Sequence, residues 1–154
     1  MTQNFDAIDR AILRALQHDG RLQNQQLAAL VGLSPSPCLR RVRRLEEEGA
    51  IERYVALLDP VKVGLGMTLF SRVSLVTQDA ETVENFAEAM RRLPQVVECY
   101  IMAGECDALL RVVVADIDDY RRFQSTHLTR ANGVQTLKTD FPLQKVKQST
   151  ELPV

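Results

Sequence analysis

Metal-binding and nucleophilic side chains are scarce in this 154-residue chain. It has two histidines, His18 and His127, and three cysteines, Cys38, Cys99 and Cys106, with no CxxC pair. Zinc sites and nucleophile–base pairs need a denser cluster, so an enzyme is not expected, and neither is a metal or cofactor. An odd, sparse set of cysteines fits reduced structural thiols. Long apolar runs are missing too: none approaches the roughly 20 residues of a membrane span. The start, MTQNFDAIDR, lacks the basic beginning and apolar centre of a signal peptide, so a cytoplasmic protein with no membrane partner is expected. Charge of one sign is lacking as well. The formal net charge is −1, with +1 over residues 1–64 and −2 over residues 65–154. Any contact with nucleic acid must therefore come from a local patch.

What is present is an ordinary globular composition, 45% apolar, with one local charge anomaly. Residues 33–51 read LSPSPCLRRVRRLEEEGAI, with Arg40, Arg41, Arg43 and Arg44 inside five positions. The surrounding pattern is helical. Asp6 is an N-cap with Asp9 in the first turn, and Ile8, Ile12, Leu13 and Leu16 follow at helical spacing until Asp19-Gly20. Asn24 is read as the cap of a second helix with Leu27, Leu30 and Val31 as its apolar positions, Ala28 as a close-approach residue and Gly32 as its stop. Ser34 caps a third helix that has Pro35 at its first position. Two helices joined by a short Gly-containing turn make a helix-turn-helix.

On a helical wheel, Cys38, Val42 and Leu45 lie within about 60° and form the core stripe. Ser36, Arg40, Arg43 and Arg44 point away from it. Arg41 lies on the flank, where its stem reaches the core. Serine and arginine projecting together suit a DNA major groove, since arginine binds guanine bidentately or neutralises phosphate. A solvated face is the plain alternative. Its pairs, Arg43–Glu47 and Arg44–Glu48, are worth only ~0.2–0.5 kcal/mol each and do not account for the cluster. Double-stranded DNA is the expected partner.

Residues 51–57 read as a strand forming a small wing or arm, broken by Asp59-Pro60, with Gly64 and Gly66 as a hinge. Beyond it the chain reads strand–helix–strand–strand–helix–strand. The strands fall at 67–77, 96–102, 108–114 and 135–141. One helix is capped by Asp79 and carries Val83, Phe86, Met90 and Leu93. The other is capped by Asp116 and carries Ile117, Tyr120, Phe123 and Leu128. The expected fold is α+β, a (winged) helix-turn-helix followed by a ferredoxin-like βαββαβ domain: an antiparallel four-stranded sheet with both helices on one face. The boundaries fall at 1–50 for the DNA-binding domain, 51–66 for a strand and hinge linker, and 67–154 for a sensing and oligomerisation domain. The open sheet face reads as apolar, which points to self-association. The tail QKVKQSTELPV reads as partly mobile. The turn Gly104-Glu105-Cys106-Asp107 offers backbone N–H groups for a carboxylate and Asp107 for an ammonium, a combination that suits an amino acid; an ordinary hairpin turn is the simpler reading.

These residues resemble the Lrp/AsnC family, the feast/famine transcriptional regulators of bacteria and archaea. The resemblance rests on DAIDRAIL at 6–13, DGR at 19–21, LAALVGLSPSPCLRRVRRLEEEGAI at 27–51, LLDP at 57–60, the Gly-x-x-Asp turn at 104–107 and VKQS at 146–149. It implies a sequence-specific regulator modulated by a small amino-acid effector, which dimerises through the second domain and assembles further, commonly into octamers. It implies DNA contacts from Ser34, Ser36, Arg40, Arg41, Arg43 and Arg44. It implies effector contacts from Gly104, Glu105 and Asp107, with Ile101 and Met102 beside them and Thr139 and Asp140 completing the pocket. Cys106 stands where the family often has an aromatic residue, which reshapes that pocket. The rival reading is a DNA-compacting architectural protein with little sequence choice or effector response.

Overall fold

The computed structural model describes residues 5–154, so residues 1–4 of the first expected domain lie outside the described residues. The chain divides into two units. One runs to Leu57 and takes in Lys147–Val154, and the other spans Leu58–Val146.

The first unit is built on three helices: α1 (Ala7–His18), α2 (Asn24–Leu30) and α3 (Pro35–Glu47). Each is amphipathic, and Ile12, Leu13, Leu27, Ala28, Cys38 and Leu45 close into one core. Asp6 caps α1 through a reciprocal box: the Asp9 N–H donates to Asp6 Oδ1 (2.8 Å) and the Asp6 N–H donates to Asp9 Oδ2 (3.3 Å). The N-cap of α2 lies one residue earlier than expected. Gln23 is the N-cap, its N–H donating to Gln26 Oε1 (3.1 Å), and Asn24 instead donates from Nδ2 to the Pro35 carbonyl (2.8 Å). That bond ties the start of α2 to the start of α3, a task a cap bonded to its own helix cannot perform. Leu30, expected to face the core, is 67% exposed. Gly32 closes α2 with φ 71°, a left-handed conformation that lets the Leu33 N–H reach the Ala28 carbonyl (2.9 Å). Burial pushes the Cys38 thiol pKa up, as expected of a structural cysteine.

Two expectations fail in this unit. Residues 51–57, expected as a strand, carry none. A strand needs a ladder partner, and among the described residues none lies beside this segment. Its placement comes from side chains: Ala50 and Ile51 pack on the helical core, and Tyr54 lies against Gly20 and donates to Glu46 Oε1 (3.0 Å). The tail is not loose either. Gln17 holds Leu152 from both sides, donating to its carbonyl (3.2 Å) and accepting from its N–H (2.6 Å), and Val154 packs against the helical core.

The second unit contains β1 (Met67–Leu75), α4 (Ala80–Arg91), β2 (Val96–Ile101), β3 (Ala108–Val114), α5 (Ile117–His127) and β4 (Val134–Asp140). The sheet order is β2-β3-β1-β4 and every pairing is antiparallel. Strand β1 alternates strictly: Leu69, Ser71, Val73 and Leu75 are buried, and α4 and α5 cover that face with Phe86, Met90, Tyr120 and Phe123. Asp79 and Asp116 cap α4 and α5, accepting from the Thr82 and Asp119 N–H groups. Ile117, expected on the apolar side of α5, is 41% exposed and stays out of the core. The open face is less apolar than its sequence suggests. Arg72 pairs with Asp140 across β1 and β4, and Arg111 pairs with Glu98 across β3 and β2.

Candidate DNA interface and effector turn

Helix α3 turns a shallow outer surface to solvent, lined by Ser36, Leu39, Arg40, Arg41, Arg43, Arg44 and Glu47. The four arginines on it are not equivalent. Arg41 Nη1 donates to Asp6 Oδ2 (2.7 Å) and Asp9 Oδ1 (2.8 Å), and Arg44 Nη2 donates to Asp9 Oδ2 (2.5 Å). The Asp9 side chain is only 3% exposed, whereas those of Arg41 and Arg44 are 27% and 45% exposed. The Asp9 backbone N–H, and after it the Arg41 guanidinium, hold the Asp6 carboxyl below its usual range, and the Asp6 and Asp9 carboxylates raise Arg41 further. Arg40 and Arg43 are exposed and have no ion-pair or hydrogen-bond partner among the described residues. Leu39, 38% exposed, lines the same surface. Ser34 is at the N-cap position but its hydroxyl makes no capping bond, and Ser36 is exposed at the second position of the helix.

Arg44 points away from the core stripe as the wheel places it, but the wheel does not show its ion pair with Asp9. Arg43 and Arg44 lie at equal angles, about 130°, on either side of the core stripe. The flank carrying Arg41 and Arg44 faces α1, so its guanidinium groups meet carboxylates there; the flank carrying Arg43 faces solvent. A signal for this was present in the sequence: Asp6 and Asp9 share the i,i+3 spacing of Arg41 and Arg44.

In the second unit, the turn at 104–107 joins β2 to β3. The Met102 N–H donates to the Asp107 carbonyl and the Asp107 N–H to the Val73 carbonyl, both at 2.9 Å. The amides of Gly104, Glu105 and Cys106 have no partner among the described residues. Ile101, Met102, Gly104 and Glu105 are exposed. Asp107 is already engaged. Its Oδ2 accepts from the Leu75 N–H and its Oδ1 from Gln78 Nε2, both at 2.7 Å, so it locks the turn to the end of β1. Thr139 and Asp140 do not share a surface. Thr139 Oγ1 bonds the Tyr120 hydroxyl (2.6 Å) on the helix-covered face, while Asp140 pairs with Arg72 on the open face. Strand alternation forces the two apart.

The geometry matches known proteins along the whole chain. The family model described as winged helix-turn-helix DNA-binding matches residues 5–52, and the Lrp/AsnC ligand binding domain matches residues 68–152. The leucine-responsive regulatory protein of Escherichia coli K12 is 40% identical over 152 residues, covering 99% of this chain and 93% of that protein. The chain belongs to the Lrp/AsnC family. Two solved structures share its fold closely. A transcriptional regulator of Neisseria meningitidis, solved as a complex with L-Met, is 40% identical with a TM-score of 0.92, covering 97% of both chains. An AsnC family transcriptional regulator of Agrobacterium tumefaciens is 42% identical with a TM-score of 0.91, again covering 97% of both chains.

As an Lrp/AsnC protein, the chain is a DNA-binding transcriptional regulator whose second unit carries a ligand-binding domain. Among the described residues, no helix is long and apolar enough to cross a membrane. Sequence reasoning missed the acidic partners of α3 and the exposed Leu39 within this regulator's basic surface.

Proposed function

We propose that this regulator reads duplex DNA in a sequence-specific way through Ser36, Arg40 and Arg43, with Ser34 at the edge of the contact, while Arg41 and Arg44 hold α3 in place. One observation carries this reading: Arg40 and Arg43 are the cations of α3 left exposed and uncompensated beside a hydroxyl donor. Arginine in that state can neutralise phosphate or bind guanine. The protein acts in the cytoplasm as a regulator and not as an enzyme.

The effector is a small apolar amino acid, received at the turn after β2. The free amides at 104–106 suit its carboxylate, and the exposed Ile101 and Met102 suit an aliphatic or thioether side chain. Methionine and leucine are the first candidates, given the L-Met complex of the Neisseria regulator and the leucine-responsive name of the E. coli relative. Asp107 shapes the turn and contributes to ligand binding by keeping those amides in place. Self-association, as a dimer and then an octamer, supplies paired helix-turn-helices for a two-fold site.

Competition between selected and random duplexes tests sequence choice: a regulator discriminates by orders of magnitude, and equal affinities refute it. A thermal-shift panel of amino acids tests the effector, since a ligand that binds only the folded state raises Tm. No shift with any member of the panel refutes it.

A further inference from the structure

Asp9 is the only carboxylate buried among the described residues. It sits at the start of α1, yet both its oxygens accept from arginines on α3. With Asp6 it balances Arg41 and Arg44 charge for charge: two acids against two bases. Of the four arginines, only Arg40 and Arg43 remain uncompensated. A phosphate that recruited Arg41 or Arg44 would take one of two cationic donors from a buried carboxylate, and weakening the pairing of a buried charge is costly.

We propose that Asp9 is a positioning residue that sets how many arginines α3 delivers to DNA. By holding Arg44 and, together with Asp6, Arg41, it limits the sequence-independent part of binding. That part scales with the number of phosphates neutralised. Fewer delivered arginines weaken the grip on random DNA while Arg40 and Arg43 keep their access to the groove. Discrimination rises for this reason, without any added base contact. The inference rests on α3 being the helix that meets DNA.

The test is the salt dependence of the full chain binding a random-sequence duplex. Asp9→Asn keeps the size of the side chain and one acceptor but removes the charge. It is expected to steepen the slope of log affinity against log salt by roughly one to two per helix-turn-helix engaged. Affinity for the random duplex at low salt should rise several-fold. In the unaltered background, Arg44→Gln should leave the slope where it is, whereas Arg43→Gln should flatten it by about one. A folded Asp9→Asn protein with an unchanged or flatter slope overturns the inference. So does an Arg44→Gln protein as flattened as Arg43→Gln, a comparison that does not depend on Asp9→Asn folding. If Arg43→Gln also leaves the slope untouched, α3 is not the DNA-reading helix, and the withholding role falls with it.

Discussion

Asp9 Oδ2 and Arg44 Nη2 lie 2.5 Å apart, joining the first turn of α1 to the third turn of α3. Arg41 Nη1 completes the clasp at 2.8 Å from Asp9 Oδ1. A cluster of four arginines thus has two jobs. One pair fixes the orientation of α3, and the other remains exposed on its outer face.

The two pairs should separate in a stability measurement. Arg41→Ala leaves the buried Asp9 with one donor fewer and should cost about 1–3 kcal/mol in denaturant unfolding. Arg43→Ala, on the exposed side, should stay within about 0.5 kcal/mol. Equal losses would mean that the clasp contributes nothing to the fold.

Asp107 offers a test of the turn. Replacing it with alanine leaves the Leu75 N–H without its acceptor and frees Gln78. Stability should fall by about 1.5–3 kcal/mol. The amides at 104–106 should lose their protection from hydrogen exchange in the presence of an amino acid that shifts Tm in the unaltered protein. Retained protection would dissociate Asp107 from the effector.

Tyr120 holds three hydroxyls together beneath the sheet. Its hydroxyl is 2.9 Å from Ser71 Oγ and 2.6 Å from Thr139 Oγ1. Tyr120→Phe keeps the ring packing but strands the fully buried Ser71 hydroxyl, so a loss of about 1–3 kcal/mol is expected. Adding Ser71→Ala should recover much of it. A double variant no more stable than Tyr120→Phe would count against this account.

The tail makes a separate contribution to the first unit. Arg14 donates to the Val154 carbonyl (2.9 Å), in addition to the two bonds of Gln17 to Leu152. Gln17→Ala should lower the melting temperature by a few degrees, about 1–2 kcal/mol, and speed exchange at the Leu152 amide. An unchanged Leu152 exchange rate would show that the tail is held by something else.

Acid should weaken the second unit through Asp79. Its carboxylate accepts from the Thr77 hydroxyl and from the N–H and hydroxyl of Thr82, which hold its pKa down at about 2 against an ordinary 3.8. A depressed folded value means stability that is present above about 3.8 and is lost as pH falls through about 2. Asp79→Asn still caps α4 but cannot titrate. Its Tm should therefore fall less steeply between pH 4 and pH 2 than that of the unaltered protein. Asp6 and Glu88, also depressed, will keep some of the slope.

Local signals in the sequence determined much of this protein. The caps at Asp6, Asp79 and Asp116 follow from an acceptor side chain just before a helical run, the alternation of β1 and the apolar spacing of α4 from periods of 2 and 3.6, and the structure reproduces them. Alternation also carried the separation of Thr139 from Asp140, since neighbours on a strand face opposite ways. The wheel of α3 gave its core stripe of Cys38, Val42 and Leu45. It could not say which flank meets α1, because a wheel is symmetric about its stripe and the choice depends on how two helices cross. Only the tertiary structure placed Asp9 beside Arg44 and left Arg43 free. It alone decided that residues 51–57 form no strand, and that Gln17 catches Leu152 from 135 residues away. Contacts between distant segments depend on packing geometry, and no local periodicity encodes them.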